Sequence, residues 1–403
     1  MEIRPILSAL TRHKTGTLLV VLQTAFSFAI IVNAMFIVQD RIAKIDRPTG
    51  MDNHDLIAAQ VRGANESYDA SANITRDLAM LRGLPGVVDA TVINQIPLSS
   101  SGSSTGVRTV PDENLPPVST AIWEVDADGI KTLGAHLVRG RNFYPEEIHL
   151  SIPGKTEPWF APVAIVTQAL ADKLFPDDDA LGKTFYWNGG KPCTIIGIID
   201  HMQGAWPHWE GLDRNLFRPN VTAHGTANYL VRTLPGQRDK LIPVVEKKLG
   251  EMNPHRVVRY VKSHDEIIAH TYALDRTMAN ILIAFIVLLI GLTALVIVGL
   301  ASWFVNQRTR QIGTRRALGA TRQDIVRYFL LENWLITCGG TLLGCLLTLG
   351  ISYWLETSFE LPRLDWRYVA ACMIVFWVVS LFSAWLPARR ASRISPAIAT
   401  RTV

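Results

Sequence analysis

The segment RTRQIGTRRALGATRQDIVRYFLLE, residues 308–332, lies between two long apolar runs and is rich in arginine. Its six arginines outnumber its two acids, Asp324 and Glu332. Lysine and arginine are enriched in the loops that stay on the cytoplasmic side of a membrane. Charge alone therefore predicts that this segment is a cytoplasmic loop that orients the spans on either side of it.

Apolar residues are concentrated in four runs, each close to the roughly 20 residues that cross a hydrocarbon core. The runs are residues 17–38, 278–305, 329–355 and 369–386. The first run is too long for the apolar part of a signal peptide, and no small-residue cleavage site follows it. We interpret it as an uncleaved signal anchor, and the chain as a membrane protein with four spans.

Basic residues cluster beside the apolar runs, whereas residues 356–367 mix acids with Arg363 and Arg367. The basic clusters precede the first run, separate the second from the third and follow the fourth. Both termini and the central loop are therefore predicted to be cytoplasmic, with one large external domain. The net charge of +5 is concentrated beside the apolar runs. This argues against a nucleic-acid-binding protein, in which basic residues line a groove with polar and aromatic partners.

The external region contains two similar units, one near each end. Each unit has the pattern of strand, helix and strand, with glycine or proline at the joins. The units are residues 55–61, 74–81 and 87–93, and residues 228–232, 238–249 and 257–261. They predict a small α/β subdomain assembled from both ends, unless two common units coincide by chance.

The middle of the external region has a different character. Residues 118–125, 162–167 and 184–199 predict a strand-rich second subdomain, and the Ser/Gly stretch Ser99–Thr105 predicts a mobile loop. Cys193 is the single cysteine of the external region, which excludes an intrachain disulfide there. We expect this thiol to be a small buried hydrophobic group.

Helical sequence continues beyond two of the spans. The first helix is predicted to run from Thr17 to about Ile45, and residues 265–278 are helix-compatible and lead into the second span. Two helices leaving the membrane side by side would form a stalk. Residues 1–16 fit either a short amphipathic helix at the membrane surface or an extension of the first span.

The sequence offers weak candidates for cofactor chemistry. Gly182-Lys183-Thr184 lacks the first glycine of a phosphate-binding loop, because Asp177 occupies that position. His201 and His208 match no metal-site spacing, so packed or solvated loop histidines are the favoured interpretation. We therefore expect this chain to bind no cofactor and no metal.

Three other features are candidates for function. Glu332 lies near the start of the third span, where it can pair with an arginine of the loop or anchor at the interface. Gly340 and Gly344 form a small-xxx-small pattern, which suits dimer packing or packing within one chain. Trp206 and Trp209 suit a partner contact or packing on their own domain.

The order of residues in the basic segment resembles the R-x-R-E-I-G-I-R-R-A-[LIV]-G-A signature of FtsX/MacB-like ABC permeases. In that family the signature forms the coupling helix to the ATPase. The resemblance implies ATPase coupling by Arg308, Arg310, Gln311, Ile312, Gly313, Arg315, Arg316, Ala317, Leu318, Gly319 and Ala320. The sequence departs from the signature at Gln311, usually glutamate, and at Thr314, usually isoleucine or methionine.

The external region resembles the periplasmic core domain of MacB-type permeases. The shared landmarks appear in order as residues 140–143 (GRNF), 162–166 (PVAIV), 174–176 (LFP), 181–183 (LGK) and 195–198 (IIGI). The tail PARRASRISP, residues 387–396, also resembles the family. The implied fold class is membrane α-helical, with four transmembrane helices, plus a large α/β extracytoplasmic domain with porter-like and strand-rich subdomains.

The resemblance implies a permease subunit without a fused ATPase, since no ATPase domain fits before Thr17. ATP and Mg are then expected on a separate cytoplasmic ABC ATPase. A second permease copy or paralogue would complete a dimer in a bacterial inner membrane. The favoured hypothesis is mechanotransmission that drives efflux of drugs, peptides or toxins with a periplasmic adaptor and an outer-membrane channel. Alternatives are lipoprotein release, FtsX-like regulation of a cell-wall hydrolase, and a stand-alone receptor.

The predicted organisation divides the chain into nine segments. An amphipathic helix (residues 1–16) is followed by the first span with its stalk (17–46), the external domain (47–263) and the second stalk with its span (264–305). Then come the coupling loop (residues 306–328), the third span (329–355), a short external loop (356–368), the fourth span (369–386) and the cytoplasmic tail (387–403).

Overall fold

The computed structural model describes residues 14–65, 68–154, 156, 159–187, 190–359 and 364–394. The helices are α1 Lys14–Ile45, α2 Ala70–Arg82, α3 Gly129–Leu133, α4 Gln168–Leu174, α5 Arg238–Met252, α6 His264–Thr271, α7 Ala273–Gln307, α8 Thr309–Ala317, α9 Arg322–Phe359 and α10 Trp366–Ala391. The strands are β1 Leu56–Gly63, β2 Val87–Ile93, β3 Ser104–Arg108, β4 Val118–Val125, β5 Leu137–Gly140, β6 His149–Ser151, β7 Val163–Thr167, β8 Thr184–Trp187, β9 Pro192–Ile199, β10 Asn215–Thr222, β11 Thr226–Thr233 and β12 Arg256–Ser263.

The chain forms two compact units. The membrane unit combines the chain up to Ile45 with the chain from Leu274 onward, and the inserted domain is Asp46–Ala273. Helices α1, α7, α9 and α10 are long and apolar enough to cross a membrane, which confirms the four predicted spans. The predicted helix over residues 1–16 lies outside the described residues, apart from its last three, which begin α1.

Helix α1 is the most enclosed of the four long helices. Phe28 and Val32 are fully buried, and Phe28 packs edge-to-face on Phe376 of α10 at a ring-centroid distance of 5.4 Å. An aromatic pair of this geometry adds to the stabilisation that burial provides. At the far end of α1, Arg41 forms an ion pair with Asp275 near the start of α7. The first and second long helices are thus adjacent in the segment predicted to form a stalk.

Several helix bounds differ from the prediction. The loop predicted over residues 306–328 is mostly helical, because α8 occupies its middle and α9 begins at Arg322. Thr321 and Asp324 explain this early start: the Thr321 Oγ1 accepts the Asp324 N–H, and the Asp324 carboxylate accepts the Thr321 N–H. This reciprocal capping box starts the helix before the apolar run does.

Two further helices also differ from their predicted bounds. The fourth helix covers Trp366–Ala391 instead of residues 369–386, and Pro387 lies inside it. The single helix predicted over residues 265–278 is instead two helices, because α6 ends at Thr271 and the Tyr272 N–H bonds to the Ile268 carbonyl. Residues 395–403 of the predicted tail lie outside the described residues.

Both ends of the inserted domain build one α/β subdomain, as predicted. Its four strands lie in the order β12-β1-β11-β2, and every neighbouring pair is antiparallel. The two β-α-β units therefore interleave in a split arrangement. Helices α2 and α5 contribute Leu78, Leu81, Val245 and Leu249 to the core beneath this sheet.

A buried ion pair joins the two interleaved units. Asp77 of α2 bonds to Arg256 at the start of β12, and both side chains are at most 1% exposed. The Tyr229 hydroxyl of β11 donates to Asp77 Oδ2 at 2.8 Å. Burial beside this carboxylate raises the pKa of Tyr229, so its phenol stays protonated and remains a donor.

The second subdomain is strand-rich, as predicted. Strands β4, β3, β8, β9, β7 and β10 pair in succession, and β10 returns to pair with β4, so that the six pairings form a closed ring. The run predicted over residues 184–199 is two antiparallel strands, β8 and β9. The predicted loop Ser99–Thr105 is wrong at its end, since Ser104 and Thr105 belong to β3.

Candidate functional site

The basic segment is held to the membrane unit by a buried ion pair. Arg308, immediately before α8, donates from Nη1 to both carboxylate oxygens of Glu332 on α9, at 2.8 and 2.9 Å. Both residues are 7% exposed. The sequence suggested that Glu332 pairs with an arginine of the loop, and this prediction is confirmed. The Arg308 guanidinium is therefore bound within this chain.

An apolar underside fixes α8 in addition to the ion pair. Ile312 is 4% exposed and packs in a cluster with Ile325 and Phe329 of α9 and Ala388 and Ala391 of α10. The end of α7 joins the same cluster. Helix α8 is therefore packed against three of the four long helices, α7, α9 and α10.

Two further arginines make contacts within the membrane unit. Arg316 donates from Nη1 to the Ile394 carbonyl at 2.6 Å, which ties α8 to the chain beyond α10. The Arg315 guanidinium lies 4.5 Å from the centroid of the Tyr328 ring. Such a cation–π contact orients the side chain while leaving its donors available to a ligand or partner.

The remaining residues of the segment are exposed. Arg310, Gln311 and Ala317 face solvent, and Leu318 is 83% exposed. Gly319 follows with φ of +99°, a conformation that side chains other than glycine rarely adopt, and this turn ends the helix. Arginine is enriched in protein–protein interfaces, and an exposed apolar side chain beside it adds apolar area that a partner could bury.

The eleven candidate coupling residues therefore divide into two groups. Arg308, Ile312, Gly313, Arg316 and the half-buried Ala320 anchor the segment, whereas Arg310, Gln311, Arg315, Ala317, Leu318 and Gly319 are presented at the surface. Sequence reasoning missed this division, and it missed Tyr328 as a support for Arg315. The helical period offered a usable signal, since Arg308, Ile312 and Arg316 follow at i and i+4 spacing on one face.

The glycine pair packs against a helix of the same chain. A Cβ built on Gly340 would lie 2.7 Å from Thr24 Cβ, and one on Gly344 would lie 2.8 Å from Phe28 Cδ1. Both neighbours belong to α1 of the same chain. Of the two uses that the sequence left open, the structure shows packing within one chain, because α1 occupies the space that the missing side chains leave.

The tryptophans of the inserted domain also contact their own chain. Trp206 and Trp209 form an edge-to-face pair at 5.5 Å and pack against the core that contains Trp123 and Phe217. Both are half-buried. Of the two uses that the sequence left open, the structure shows packing on their own domain.

The weak cofactor candidates are used structurally. The Lys183 ammonium bonds to Asp178, which lowers the pKa of that carboxyl. The His201 Nε2 lies 2.8 Å from the Pro48 carbonyl. No group of three or more His, Cys, Asp or Glu side chains suited to a metal is found within the described ranges.

Comparisons with known proteins agree with the two units. Residues 17–242, more than half of the chain, match the family model of the MacB-like periplasmic core domain. Residues 283–396 match the model of the FtsX-like permease C-terminal region. The first model covers α1 and most of the inserted domain, and the second covers the basic segment with most of the spans around it.

Three curated relatives illustrate the similarity. The Macrolide export ATP-binding/permease protein MacB of Chromobacterium violaceum is 24% identical over 409 residues, covering 96% of this chain and 58% of the relative. A Probable export ATP-binding/permease protein of Pseudomonas fluorescens is 30% identical over 255 residues, covering 59% and 37%. The Uncharacterized ABC transporter permease YknZ of Bacillus subtilis is 28% identical over 246 residues, covering 59% and 61%. The chain thus spans little more than half the length of the MacB relative.

Solved structures give a weaker likeness. The periplasmic region of MacB from Actinobacillus actinomycetemcomitans is 16% identical with a TM-score of 0.34, covering 56% of this chain and 95% of that one. The family assignment instead depends on the sequence match, because the matching family model covers more than half of the chain. The chain is a membrane-spanning permease with a periplasmic domain, and it belongs to the MacB/FtsX-like family of ABC transporter permeases.

Proposed function

We propose that this permease transmits the movement of a partner ABC ATPase to its own periplasmic domain. The observation that carries this proposal is the construction of α8, which is anchored on one side by the buried Arg308–Glu332 pair and presents Leu318 on the other. A surface that must transfer force needs both a presented contact and a rigid support.

The support extends from α8 into the bundle. Separating Arg308 from Glu332 would leave an uncompensated buried charge, which is strongly unfavourable, so α8 and α9 move together. Asn333 of α9 donates to the Ser380 hydroxyl of α10 at 2.6 Å, and the Thr337 and Ser380 hydroxyls bond to each other. A displacement of α8 is therefore passed to both α9 and α10.

Covalent continuity gives the route to the periplasmic domain. Helix α9 packs on α1 at Gly340 and Gly344, and α1 leads directly into the domain at Asp46. The Arg41–Asp275 pair couples α1 to α7, which carries the other connection. Both chain connections to the domain are thus linked mechanically to α8.

The assembly that this mechanism requires follows the family. We expect ATP and Mg to be bound by the partner ATPase, and a second permease copy or a paralogue to complete a dimer in the bacterial inner membrane with both termini cytoplasmic. Relatives are named for macrolide export and, in Pseudomonas syringae, for probable syringafactin export. We propose efflux of drugs, peptides or toxins through a periplasmic adaptor and an outer-membrane channel.

The coupling surface is tested by retention of the ATPase. The tagged permease is purified in mild detergent from its native cells, and the associated ATPase is quantified by mass spectrometry. Arg310→Glu combined with Leu318→Asp changes two exposed side chains and should reduce retention about tenfold or more, as expected when central contacts are lost. Arg390→Glu, an exposed reversal at the same membrane face, is the matched control. Equal retention in all three proteins contradicts the assignment.

The mechanical part needs a separate measurement. Lys247 is exposed on α5, and a fluorophore attached to Lys247→Cys in both copies of the assembled transporter reports the distance between the periplasmic domains. ATP should change the energy transfer in the wild-type background but not with Arg310→Glu and Leu318→Asp. If the energy transfer between the fluorophores does not change with ATP while the ATPase remains bound, mechanotransmission is contradicted.

A further inference from the structure

A groove of about 480 Å³ lies on the membrane unit where α9 begins and α10 ends. Four arginines line it, Arg322 and Arg327 from α9 and Arg389 and Arg393 from the end of α10 and the residues after it. Val326 and Trp385 supply its apolar wall. None of these residues belongs to α8, so the groove is distinct from the proposed coupling surface.

The charge in this groove is unbalanced. All four arginines are exposed, and within the described part of the chain none of them has a carboxylate at ion-pair distance. The Arg389 guanidinium lies 5.2 Å from the centroid of the Trp385 ring, which holds it without neutralising it. The Asp324 carboxylate accepts from Thr321 at the helix cap and offsets part of the charge of Arg327, but Asp324 is not among the residues that line the groove. A concave site with several positive charges and no acid favours an anion.

An apolar stripe leads from the groove along α10 into the span. Val378, Phe382 and Trp385 precede Arg389 at spacings of four, three and four residues, so they share one helix face with it. Phe382 is 74% exposed, and Val378 and Trp385 are 47% and 45% exposed. This face ends in a tryptophan and then an arginine, the order expected where a helix passes from acyl chains to headgroups.

We propose that the groove binds the phosphate headgroup of an anionic membrane phospholipid, whose acyl chains lie along the stripe. Guanidinium groups suit phosphate because they donate in a planar fork. A free phosphate would have no use for the apolar stripe, and a soluble acidic partner could not follow it into the span. Basic pockets between transmembrane helices are an established form of lipid recognition.

The bound lipid would brace the coupling segment. Ile312 of α8 packs with Ile325 of α9 and Ala388 of α10. The residues that follow these two in sequence, Val326 and Arg389, line the groove. A headgroup that bridges Arg327 and Arg389 would therefore fix the distance between the two helices that support α8. The lipid would be a structural ligand of the same region.

The test is lipid binding to the purified full chain. Native mass spectrometry in a delipidating detergent measures the affinity for dioleoylphosphatidylglycerol, for dioleoylphosphatidylcholine and, as competitors, for inorganic phosphate and glycerophosphoglycerol. The wild type should prefer phosphatidylglycerol, and the acyl-free phosphates should compete poorly. Arg327→Gln with Arg389→Gln should lower the phosphatidylglycerol affinity about tenfold or more, since two charge-assisted contacts are lost.

Matched variants make the result decisive. Arg390→Gln removes the same charge one residue away from Arg389 but outside the groove, and it should keep near wild-type affinity. Arg327→Lys with Arg389→Lys should retain the preference for phosphatidylglycerol over phosphatidylcholine, which shows that the groove is still formed. Equal binding of both lipids, equal loss in Arg390→Gln, or full competition by inorganic phosphate overturns the proposal. Unchanged lipid affinity with loss of the ATPase would assign the groove to a protein partner and also overturn it.

Discussion

At the residue scale, the sequence predicted that Glu332 pairs with an arginine of the loop but not that this arginine is Arg308. Sequence reasoning placed Arg308 among residues that contact the ATPase, whereas the structure buries it against Glu332. The two partners are unequal. A glutamate that loses its partner can take up a proton, but an arginine cannot lose one in a protein. Removing Glu332 should therefore lower the stability of the membrane unit more than removing Arg308 does.

We predict that Glu332→Leu lowers the stability of the membrane unit by about 3–5 kcal/mol, because Arg308 stays buried and charged. Arg308→Met should lower it less. The double variant should recover most of the loss, since two apolar side chains of similar volume replace the pair. Thermal unfolding of the purified permease in one detergent measures all four proteins, and additive single effects would contradict the pairing.

A second residue-scale prediction concerns His264 in the periplasmic domain. Its side chain is fully buried, with Nε2 2.9 Å from the Pro97 carbonyl and Nδ1 3.1 Å from Asn53 Oδ1. Burial lowers the pKa of His264 below its usual value of 6.5, although the Pro97 carbonyl and Asp265 partly offset this effect. The folded domain therefore binds a proton less readily than the unfolded chain does.

This difference fixes the sign of a pH dependence. Above pH 6.5 His264 is neutral in both states and contributes nothing, whereas below 6.5 the unfolded state gains the proton first. Stability should then fall by about 1.4 kcal/mol per pH unit until the folded-state pKa is reached. Unfolding temperatures at pH 7.5 and 5.5 should differ more in the wild type than in His264→Gln. An equal difference in the two proteins would assign the effect to other groups.

At the element scale, the packing of α9 on α1 can be tested with neighbouring glycines. We predict that Gly340→Ala destabilises the membrane unit by about 1–3 kcal/mol, because its Cβ would lie 2.7 Å from Thr24 Cβ and 3.1 Å from the Val21 carbonyl oxygen. Gly339→Ala meets nothing within 4 Å and should be neutral or stabilising, since alanine favours the helix.

Unfolding in detergent and crosslinking in membranes separate the two interpretations of this glycine pair. Destabilisation by Gly340→Ala at an unchanged extent of dimerisation is the expected result. Dimer loss with unchanged monomer stability would instead restore Gly340 to the interface between copies. Gly344→Ala and Gly350→Ala form a second matched pair with the same expected contrast.

Element type was largely predictable from the sequence, and element ends were not. Apolar run length and glycine or proline punctuation located the four long helices and the six elements of the α/β subdomain. The early start of α9 depends on hydrogen bonds between Thr321 and Asp324, which a hydropathy pattern does not detect. The closed ring of strands depends on the pairing of β10 with β4, which are about ninety residues apart in sequence. Such a contact leaves no local signal.

The candidate site was predictable as a segment but not as a surface. The resemblance to the permease signature identified residues 308–320, and the geometry then assigned Arg308, Ile312 and Arg316 to support and Leu318 to exposure. One-dimensional spacing shows which residues share a helix face, but only the neighbours decide which face is covered. Here the cover comes from α9, α10 and the chain near Ile394.

At the scale of the whole molecule, the periplasmic domain is an insertion whose two ends meet. Strand β1 follows the first chain connection and β12 precedes the second, and these strands pair antiparallel along almost their whole length. The edge of this sheet is thus formed by two strands that are about two hundred positions apart in the sequence. Arg256, at the start of β12, also supplies the counter-charge for the buried Asp77.

We predict that a fragment of residues 46–273 folds alone, because it contains both halves of the interleaved sheet and its own three apolar cores. A fragment of residues 46–255 lacks β12 and should fail to fold cooperatively, since β1 becomes an open edge and Asp77 loses Arg256. Size exclusion and thermal unfolding by circular dichroism compare the two. The full fragment carrying Arg256→Leu distinguishes the two causes, because it keeps β12 and removes only the counter-charge. Cooperative unfolding of the shorter fragment would show that the α/β subdomain does not need its last strand, and would make the second chain connection a tether instead of part of the domain.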